Sequence, residues 1–324
     1  MEEARKDLLI IGAGPAGLGA AVYAYRAGLD FTITDRFSVG GQIITTDHID
    51  NYPGFYENIS GYDLMQKMTE HVRKYGIVIN EFCEIKSIAE KKSRSKTKKT
   101  AGLKHYICES EDKRFVTNTI IVATGAGPGK LGIENEEEFI GKGISFCATC
   151  DGALYRDMDI AVIGGGNAAI EEAVFLTKFA SKVYIIHRRD ELRASKKVQE
   201  EAFANTKIEF LLSSEILRFE GKDRVEYVVL KNKKTDSTYK IKIAGVFEYV
   251  GIVPNSAVLS GLAAMDANGF LITDKNLQTS AEGIFAAGDV RDTPLRQVIT
   301  AVADGALAAT SAEKYIAGFL NGKI

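Results

Sequence analysis

One pattern occurs twice in this chain, 152 residues apart, and it restricts the fold more than any other feature. In the first copy Leu8-Leu9-Ile10-Ile11 is a short apolar strand. Gly12-Ala13-Gly14-Pro15-Ala16-Gly17 and an alanine-rich helix to about Ala27 follow it. Phe31-Thr32-Ile33-Thr34 reads as a second strand, ending at Asp35, 23 residues after the first glycine. Strand, tight G-x-G-x-x-G turn, helix and strand form the context in which this motif binds dinucleotides. Gly12 permits the turn, Gly14 lets the backbone approach a pyrophosphate, and Gly17 lets the helix pack on its strand. The helix start, at Pro15 and Ala16, receives the phosphate charge. Asp35, with Arg36 next to it, can accept hydrogen bonds from ribose hydroxyls.

In the second copy the strand is Ile160-Ala161-Val162-Ile163 and the turn is Gly164-Gly165-Gly166-Asn167-Ala168-Ala169, the variant ending in alanine. A helix is expected to about Phe179, then a strand Val183–Ile186. The position that matches Asp35 is His187, followed by Arg188 and Arg189, with Arg193 four residues further on. An acid there would repel a 2′-phosphate, whereas a basic cluster can pair with one. A solvated loop is the alternative reading of these arginines; their place at this strand end favours NADPH. The first site suits a free ribose, such as that in the ADP half of FAD. Two nucleotide sites in one chain point to electron transfer between two cofactors.

Length and charge narrow the function classes. At 324 residues the chain has room for roughly two domains. The net charge of −2 argues against a protein built to coat nucleic acid. No apolar run approaches the ~18 residues needed to cross a bilayer. The opening Met1–Asp7 lacks the layout of a signal peptide, so a cytoplasmic location without membrane attachment is expected.

Between the two copies lies Cys147-Ala148-Thr149-Cys150-Asp151, with Cys150 14 residues ahead of Gly164. A C-x-x-C can hold zinc, but a structural zinc site needs two further ligands, and no partner set is visible. No metal is therefore expected, and a redox disulfide is favoured. One thiolate can attack a partner disulfide and the other can resolve the mixed disulfide. Asp151 can serve as proton donor and acceptor for the departing thiolate, or simply as a helix cap. Cys83 and Cys108 stand singly in strand-like segments and read as buried and unreactive.

Taken together, the residues resemble the low-molecular-weight thioredoxin reductases over nearly the whole chain. The matching signatures are Gly12–Gly17, Gly40-Gly41-Gln42, Asn51-Tyr52-Pro53-Gly54, Ala123-Thr124-Gly125, Cys147–Gly152, Gly164–Ala169, His187–Arg193, Ala287-Gly288-Asp289-Val290 and Arg296-Gln297. Cys-Ala-Thr-Cys-Asp-Gly just before the second glycine turn is the most specific of them. The resemblance implies an α/β fold with two Rossmann-like domains, the NADPH domain being inserted into a discontinuous FAD domain. Glycine and proline at 125–129 and 251–255 mark the joints, which sets an FAD-binding domain at 1–128 and 255–324 and an NADPH-binding domain at 129–254.

By the same resemblance Gly41, Gln42 and Asn51 contact FAD, and Thr124 with Gly125 lines its nucleotide end. Gly288 and Asp289 meet the ribityl or phosphate region, and Arg296-Gln297-Val298 opens a helix aimed at the flavin. That helix can equally serve to pack the domain core. The implied activity passes electrons from NADPH through FAD and the Cys147–Cys150 disulfide to thioredoxin. In the family Cys150 faces the flavin and Cys147 attacks the partner. The family is typically homodimeric, and its inserted domain rotates during turnover. A ferredoxin-linked reductase would not need the arginine cluster, a dithiol oxidase should lack a working NADPH site, and a flavin-binding sensor would need neither cysteines nor arginines. The run Lys91–Lys99, with six positive charges and no acid, reads as a solvated loop, or alternatively as a steering patch for an acidic partner.

Overall fold

A computed structural model describes residues 2–46, 49, 51–55, 59–91 and 104–320. The chain divides into two compact units, residues 1–127 with 253–324 and residues 128–252. The first stretch contributes β1 (Glu2–Ile11), α1 (Pro15–Arg26), β2 (Phe31–Thr34), α2 (Gly61–Arg73), β3 (Ile79–Asn80), β4 (Ser87–Glu90), β5 (Tyr106–Glu109), β6 (Lys113–Val122) and β7 (Ala126–Pro128). The inserted unit holds α3 (Glu136–Phe139), β8 (Ile144–Ser145), α4 (Ala148–Asp151), β9 (Asp159–Ile163), α5 (Asn167–Leu176), β10 (Lys182–Ile186), α6 (Lys196–Ala204) and β11 (Ile208–Leu211). It ends with β12 (Ser214–Gly221), β13 (Val225–Asn232), β14 (Thr238–Lys242) and β15 (Gly245–Glu248). The return brings β16 (Ile252–Pro254), β17 (Ile284–Ala286) and α7 (Val298–Leu320).

Seven strands of the first unit form one sheet, ordered β3-β2-β1-β6-β5-β4, with β17 also on β6, while β7 and β16 pair separately. β3, β2, β1, β6 and β17 run parallel, and the antiparallel pair β4–β5 closes the other side. Strand β1 is a continuous apolar run at Leu8–Ile11 because both of its faces are covered. Leu8 and Ile10 pack with alanines of α1 and α7, while Leu9 and Ile11 join Ile88, Cys108 and Phe115 on the opposite face. β1 starts earlier than its apolar core, since the largely charged Glu2–Lys6 pairs in parallel with Lys113–Thr117, a partnership that the hydropathy of the N-terminal residues does not reveal. Helices α1 and α7 approach closely: a Cβ on Gly305 would lie 2.0 Å from the Ala16 carbonyl oxygen.

The inserted unit has a parallel sheet, β11-β10-β9-β15-β8, and a separate antiparallel meander β12-β13-β14. Ile160, Val162, Val183 and Ile185 pack under α5 on one face. Ala161, Ile163, Ile186 and Val246 meet Phe219, Val228 and Leu230 of the meander on the other. The sheet is thus covered on both sides, as its apolar strands require. Helix α5 stops at Leu176, short of the expected Phe179, because Lys207 Nζ donates to the carbonyls of Thr177 and Ala180 at 2.8 and 2.9 Å and satisfies the chain end there.

The chain passes between units at 127–128 and 252–253, where glycine and proline alone set the joints at 128–129 and 254–255. Hydrogen bonding explains the placement of the neighbouring residues. Asn255 N–H donates to Gly125 O at 3.0 Å within the first unit, and Gly129 N–H donates to Gly251 O at 2.9 Å within the second. Among the described residues no helix is long and apolar enough to cross a membrane.

Candidate functional site

The first glycine turn is held by backbone contacts that leave no room for side chains. Gly12 N–H donates to Thr34 O at 2.7 Å, and Ala123 N–H donates to Ile11 O at 2.7 Å. Gly12 has φ +108°, and a Cβ there would lie 2.2 Å from the Ala123 oxygen. A Cβ on Gly17 would lie 1.8 Å from Gly12 O, so the helix and turn interlock. Gly14 differs. A Cβ there would find no protein atom closer than 3.8 Å, that atom being Gly41 Cα. Gly14 and Gly41 thus meet backbone to backbone beside the start of α1, where Pro15 takes the first helical position with Ala16 behind it and the free helix N-terminus suits an anion.

Asp35 performs a second job beyond the one its position predicts. Its Oδ2 accepts from Ala13 N–H at 2.7 Å and its Oδ1 from Phe37 N–H at 2.9 Å, so it braces the glycine turn. Burial raises its pKa, and these two amide bonds pull against that. Arg36 lies on the surface with its guanidinium 4.9 Å from the Phe37 ring centroid. Sequence reasoning missed Glu81, whose Oε1 accepts from Val39 N–H at 2.9 Å and so orders the approach to Gly40 and Gly41. Only its position one residue beyond β3 could have hinted at this.

Other expected residues converge on the same unit from distant parts of the chain. Gln42 donates from Nε2 to Ala126 O. Asn51 Nδ2 donates to Gln297 Oε1 at 2.9 Å. Thr124 Oγ1 donates to Asn255 O at 2.6 Å, and Asn255 Nδ2 returns a bond to Thr124 O at 2.9 Å, beside Gly125. After β17, Gly288 N–H donates to Asp304 Oδ2 at 3.1 Å, and Arg291 Nε lies 3.2 Å from the same carboxylate. Asp304, on α7, carries no motif and was not anticipated. Asp289 is half-buried, and among the described residues its carboxylate has no protein hydrogen bond. Burial raises its pKa, the Arg296 charge opposes this and Asp304 adds to it. Arg296 stacks over the Phe270 ring at 4.2 Å, and Val298 begins α7. A helix start bare of side chains at Gly14, and a half-buried Asp289 with no protein hydrogen bond among the described residues, fit a nucleotide with a polyol arm, as FAD requires.

The second turn repeats this logic. Gly164 has φ +150°, and a Cβ there would lie 2.6 Å from that of Ala169. Nothing lies within 4 Å of the Cβ position of Gly166, ahead of Asn167 and Ala168 on α5. The loop after β10 folds back on the turn: Arg193 and Ala194 N–H donate to Gly165 O at 2.6 and 3.0 Å, and Asn167 Oδ1 accepts from Ser195 N–H at 2.7 Å. His187 is buried with its ring against Gly165 and its Nε2 lacks a protein partner among the described residues. Burial, then the charge of Arg193, lowers its pKa, so His187 is neutral and the positive charge at this strand end belongs to the arginines. Arg188, Arg189 and Arg193 are exposed and line a cleft of about 430 Å³. Among the described residues none of the three guanidiniums has a hydrogen bond or ion pair.

The redox motif sits in the same unit. Cys147 follows β8, and its N–H donates to Ser145 Oγ at 3.1 Å. Helix α4 begins at Ala148, whose N–H donates to the Tyr249 hydroxyl at 2.9 Å, and Asp151 N–H closes the turn on Cys147 O at 3.2 Å. Tyr249, just past β15, is another residue that no motif announced. Cys147 is disulfide-bonded. The Cys150 side chain lies outside the described part of α4, and the basic run beyond Lys91 lies outside the described residues. Cys83 and Cys108 are free and buried, and burial pushes the Cys108 thiol up to about 12. Among the described residues no group of three or more metal-binding side chains occurs.

Known proteins share this layout. The pyridine nucleotide-disulphide oxidoreductase family matches residues 6–305. The chain is 43% identical over 316 residues to a thioredoxin reductase of Peptoclostridium acidaminophilum, covering 96% of each protein. It is 40% identical over 316 residues to a thioredoxin reductase of Bacillus subtilis (strain 168), covering 97% of this chain and 96% of that one. The crystal structure of Lactococcus lactis thioredoxin reductase in its FR conformation is similar with a TM-score of 0.80 at 40% identity, covering 96% of this chain and 99% of the other.

Proposed function

The chain belongs to the pyridine nucleotide-disulphide oxidoreductase family, and from that membership we propose that it is a thioredoxin-disulfide reductase that uses FAD and NADPH. The observation that carries this reading is the pairing, within one inserted unit, of a disulfide-bonded C-x-x-C cysteine with a nucleotide turn flanked by three unpartnered guanidiniums. Full-length similarity to thioredoxin reductases supports the same conclusion.

The residues divide the work as follows. Gly12, Gly14, Gly17, Asp35, Gly41, Gln42, Asn51, Thr124, Gly125, Gly288, Asp289, Arg296, Gln297 and Val298 hold FAD. Gly164, Gly166, Asn167 and Ala168 take the NADPH pyrophosphate, and Arg188, Arg189 and Arg193 its 2′-phosphate. Bound flavin supplies two-electron transfer between nicotinamide and disulfide. Cys147 and Cys150 form the redox couple: the Cys147 thiolate attacks the thioredoxin disulfide, and Cys150 closes on Cys147 to release the reduced partner. One thioredoxin disulfide gains two electrons while Cys147 and Cys150 return to the disulfide. Asp151 exchanges a proton with the departing thiolate. The enzyme acts in the cytoplasm as a homodimer joined through the FAD-binding part, and the inserted unit rotates during turnover.

Anaerobic mixing of the purified yellow protein with NADPH or NADH tests the reading directly. Rapid flavin bleaching with NADPH, much slower bleaching with NADH, and reduction of added thioredoxin are expected. A colourless protein that takes up no FAD, or equal bleaching by both nucleotides, would overturn it.

A further inference from the structure

The arginine loop faces a second basic element that lies 40 residues further along the chain. Lys233 and Lys234 occupy the turn between β13 and β14 and line the same cleft as Arg188, Arg189 and Arg193. Two backbone hydrogen bonds set the spacing between the two walls. Ser213 N–H donates to Arg189 O at 2.9 Å, and Lys233 N–H donates to Ser213 O at 2.7 Å. The turn is therefore registered on the arginine loop through Ser213, which has φ +51°. Lys234 Nζ lies 3.4 Å from Asp190 of that loop, whereas Lys233 is 4.0 Å from Glu215.

A phosphate monoester brings up to two negative charges and three acceptor oxygens. Cations on one exposed loop gain little from such a group, because water screens each pair. Cations on both walls of one cleft instead meet the group from two sides and add their contributions. Arginine and lysine then play different parts, a planar fork on one side and mobile point charges on the other. Asp190, 3.4 Å from Lys234 Nζ, holds that ammonium at the cleft.

We infer that Lys233 and Lys234 form the second wall of the 2′-phosphate site and set the preference for NADPH, with Lys234 exchanging Asp190 for a phosphate oxygen. This rests on the NADPH reading above. It adds a specificity element that lies outside the glycine turn and its arginines.

Calorimetric titration of the FAD-loaded enzyme with adenosine 2′,5′-bisphosphate and with 5′-AMP provides a test independent of turnover. The wild type should bind the bisphosphate far more tightly. The K233A/K234A and K233Q/K234Q double variants should lose roughly five- to tenfold in bisphosphate affinity at low salt, with 5′-AMP unchanged and a shallower salt dependence. D190N should bind the bisphosphate roughly two- to threefold more tightly, and only while Lys234 is present. Double variants within twofold of the wild type, alongside a clear loss in R189A, would overturn the role of the lysines and leave the NADPH reading intact. A wild type that does not prefer the bisphosphate would overturn both.

Discussion

Asn51 donates from Nδ2 to Gln297 Oε1 at 2.9 Å, joining residues 246 positions apart at the N-terminal end of α7. Both side chains are exposed, so the bond itself contributes only about 0.5 kcal/mol. Its effect is to orient two residues assigned to the FAD site. N51A and Q297A should each release FAD a few-fold faster, and the double variant should do little worse than either single one. Fluorescence of released FAD reads this cycle, and fully additive losses would show that the pair is not coupled.

The glycines separate into two groups by what their Cβ would meet. G17A would drive a methyl group to 1.8 Å from Gly12 O and should destabilise the apoprotein by several degrees in Tm. G14A would meet only an ordinary contact, 3.8 Å from Gly41 Cα, and G166A faces open space, so their apoprotein stability should stay within about 1 kcal/mol of the wild type. Each should instead lose ligand affinity, G14A for FAD and G166A for NADPH. Thermal melts with and without ligand distinguish the groups, and a strongly destabilised G166A apoprotein would contradict the open-cradle account.

Glu248 is buried at the end of β15 beside Glu136, and among the described residues no protein group donates to its oxygens. Burial, then the hydrogen bond and charge of Glu136, push its pKa up to about 9. Glu136 is buried as well, which acts to raise its pKa. Amide donors at Leu131, Gly132 and Ile133, together with Glu248, outweigh this and hold it below the usual range. Glu248 therefore carries a proton in the folded state that it loses near its ordinary value of 4.5 when unfolded. The stability this proton confers is complete below about 4.5 and declines as pH rises towards about 9. E248Q supplies a permanent donor, so it should match the wild type at acid pH and melt roughly 2–6 °C higher in mildly alkaline buffer. Parallel melting curves across that range would refute a shared proton.

Thiol titration follows the redox centre without a partner protein. Of the four cysteines, Cys83 and Cys108 are buried and Cys147 is disulfide-bonded. The oxidised enzyme should react slowly with a thiol reagent, and anaerobic NADPH should expose two fast thiols. The C147S and C150S variants should lose thioredoxin reduction but keep flavin bleaching by NADPH. A full rate of thioredoxin reduction in either variant would remove the C-x-x-C from the pathway.

The rotation proposed for the inserted unit predicts that an engineered covalent crosslink between residues 1–127 and 128–252 stops turnover while FAD stays bound. Normal turnover in the locked enzyme, with full crosslinking shown by gel shift, would exclude the motion as a requirement.

Much of the machinery could be read before any coordinates. The two glycine turns, their strands and helices and the arginines after β10 are local features, and local sterics and spacing determine them. Other parts were out of reach. Glu81 holds Val39 ahead of Gly40 and Gly41, Asp304 holds the Gly288 amide, Tyr249 anchors the C-x-x-C helix, and Lys233 and Lys234 reach the arginine cleft. None of these residues sits in a recognisable motif.

From sequence alone, the chain was bound to form two dinucleotide folds of opposite charge preference, with a cysteine pair ahead of the second turn. A tight turn needs glycine wherever it occurs, and the charge at a strand end travels with the strand. Tertiary structure decided which distant groups meet. The meeting of Asn51 with Gln297, or of Glu136 with Glu248, depends on how sheets stack and strands register. Those are long-range packing outcomes, which residue spacing along a chain does not encode.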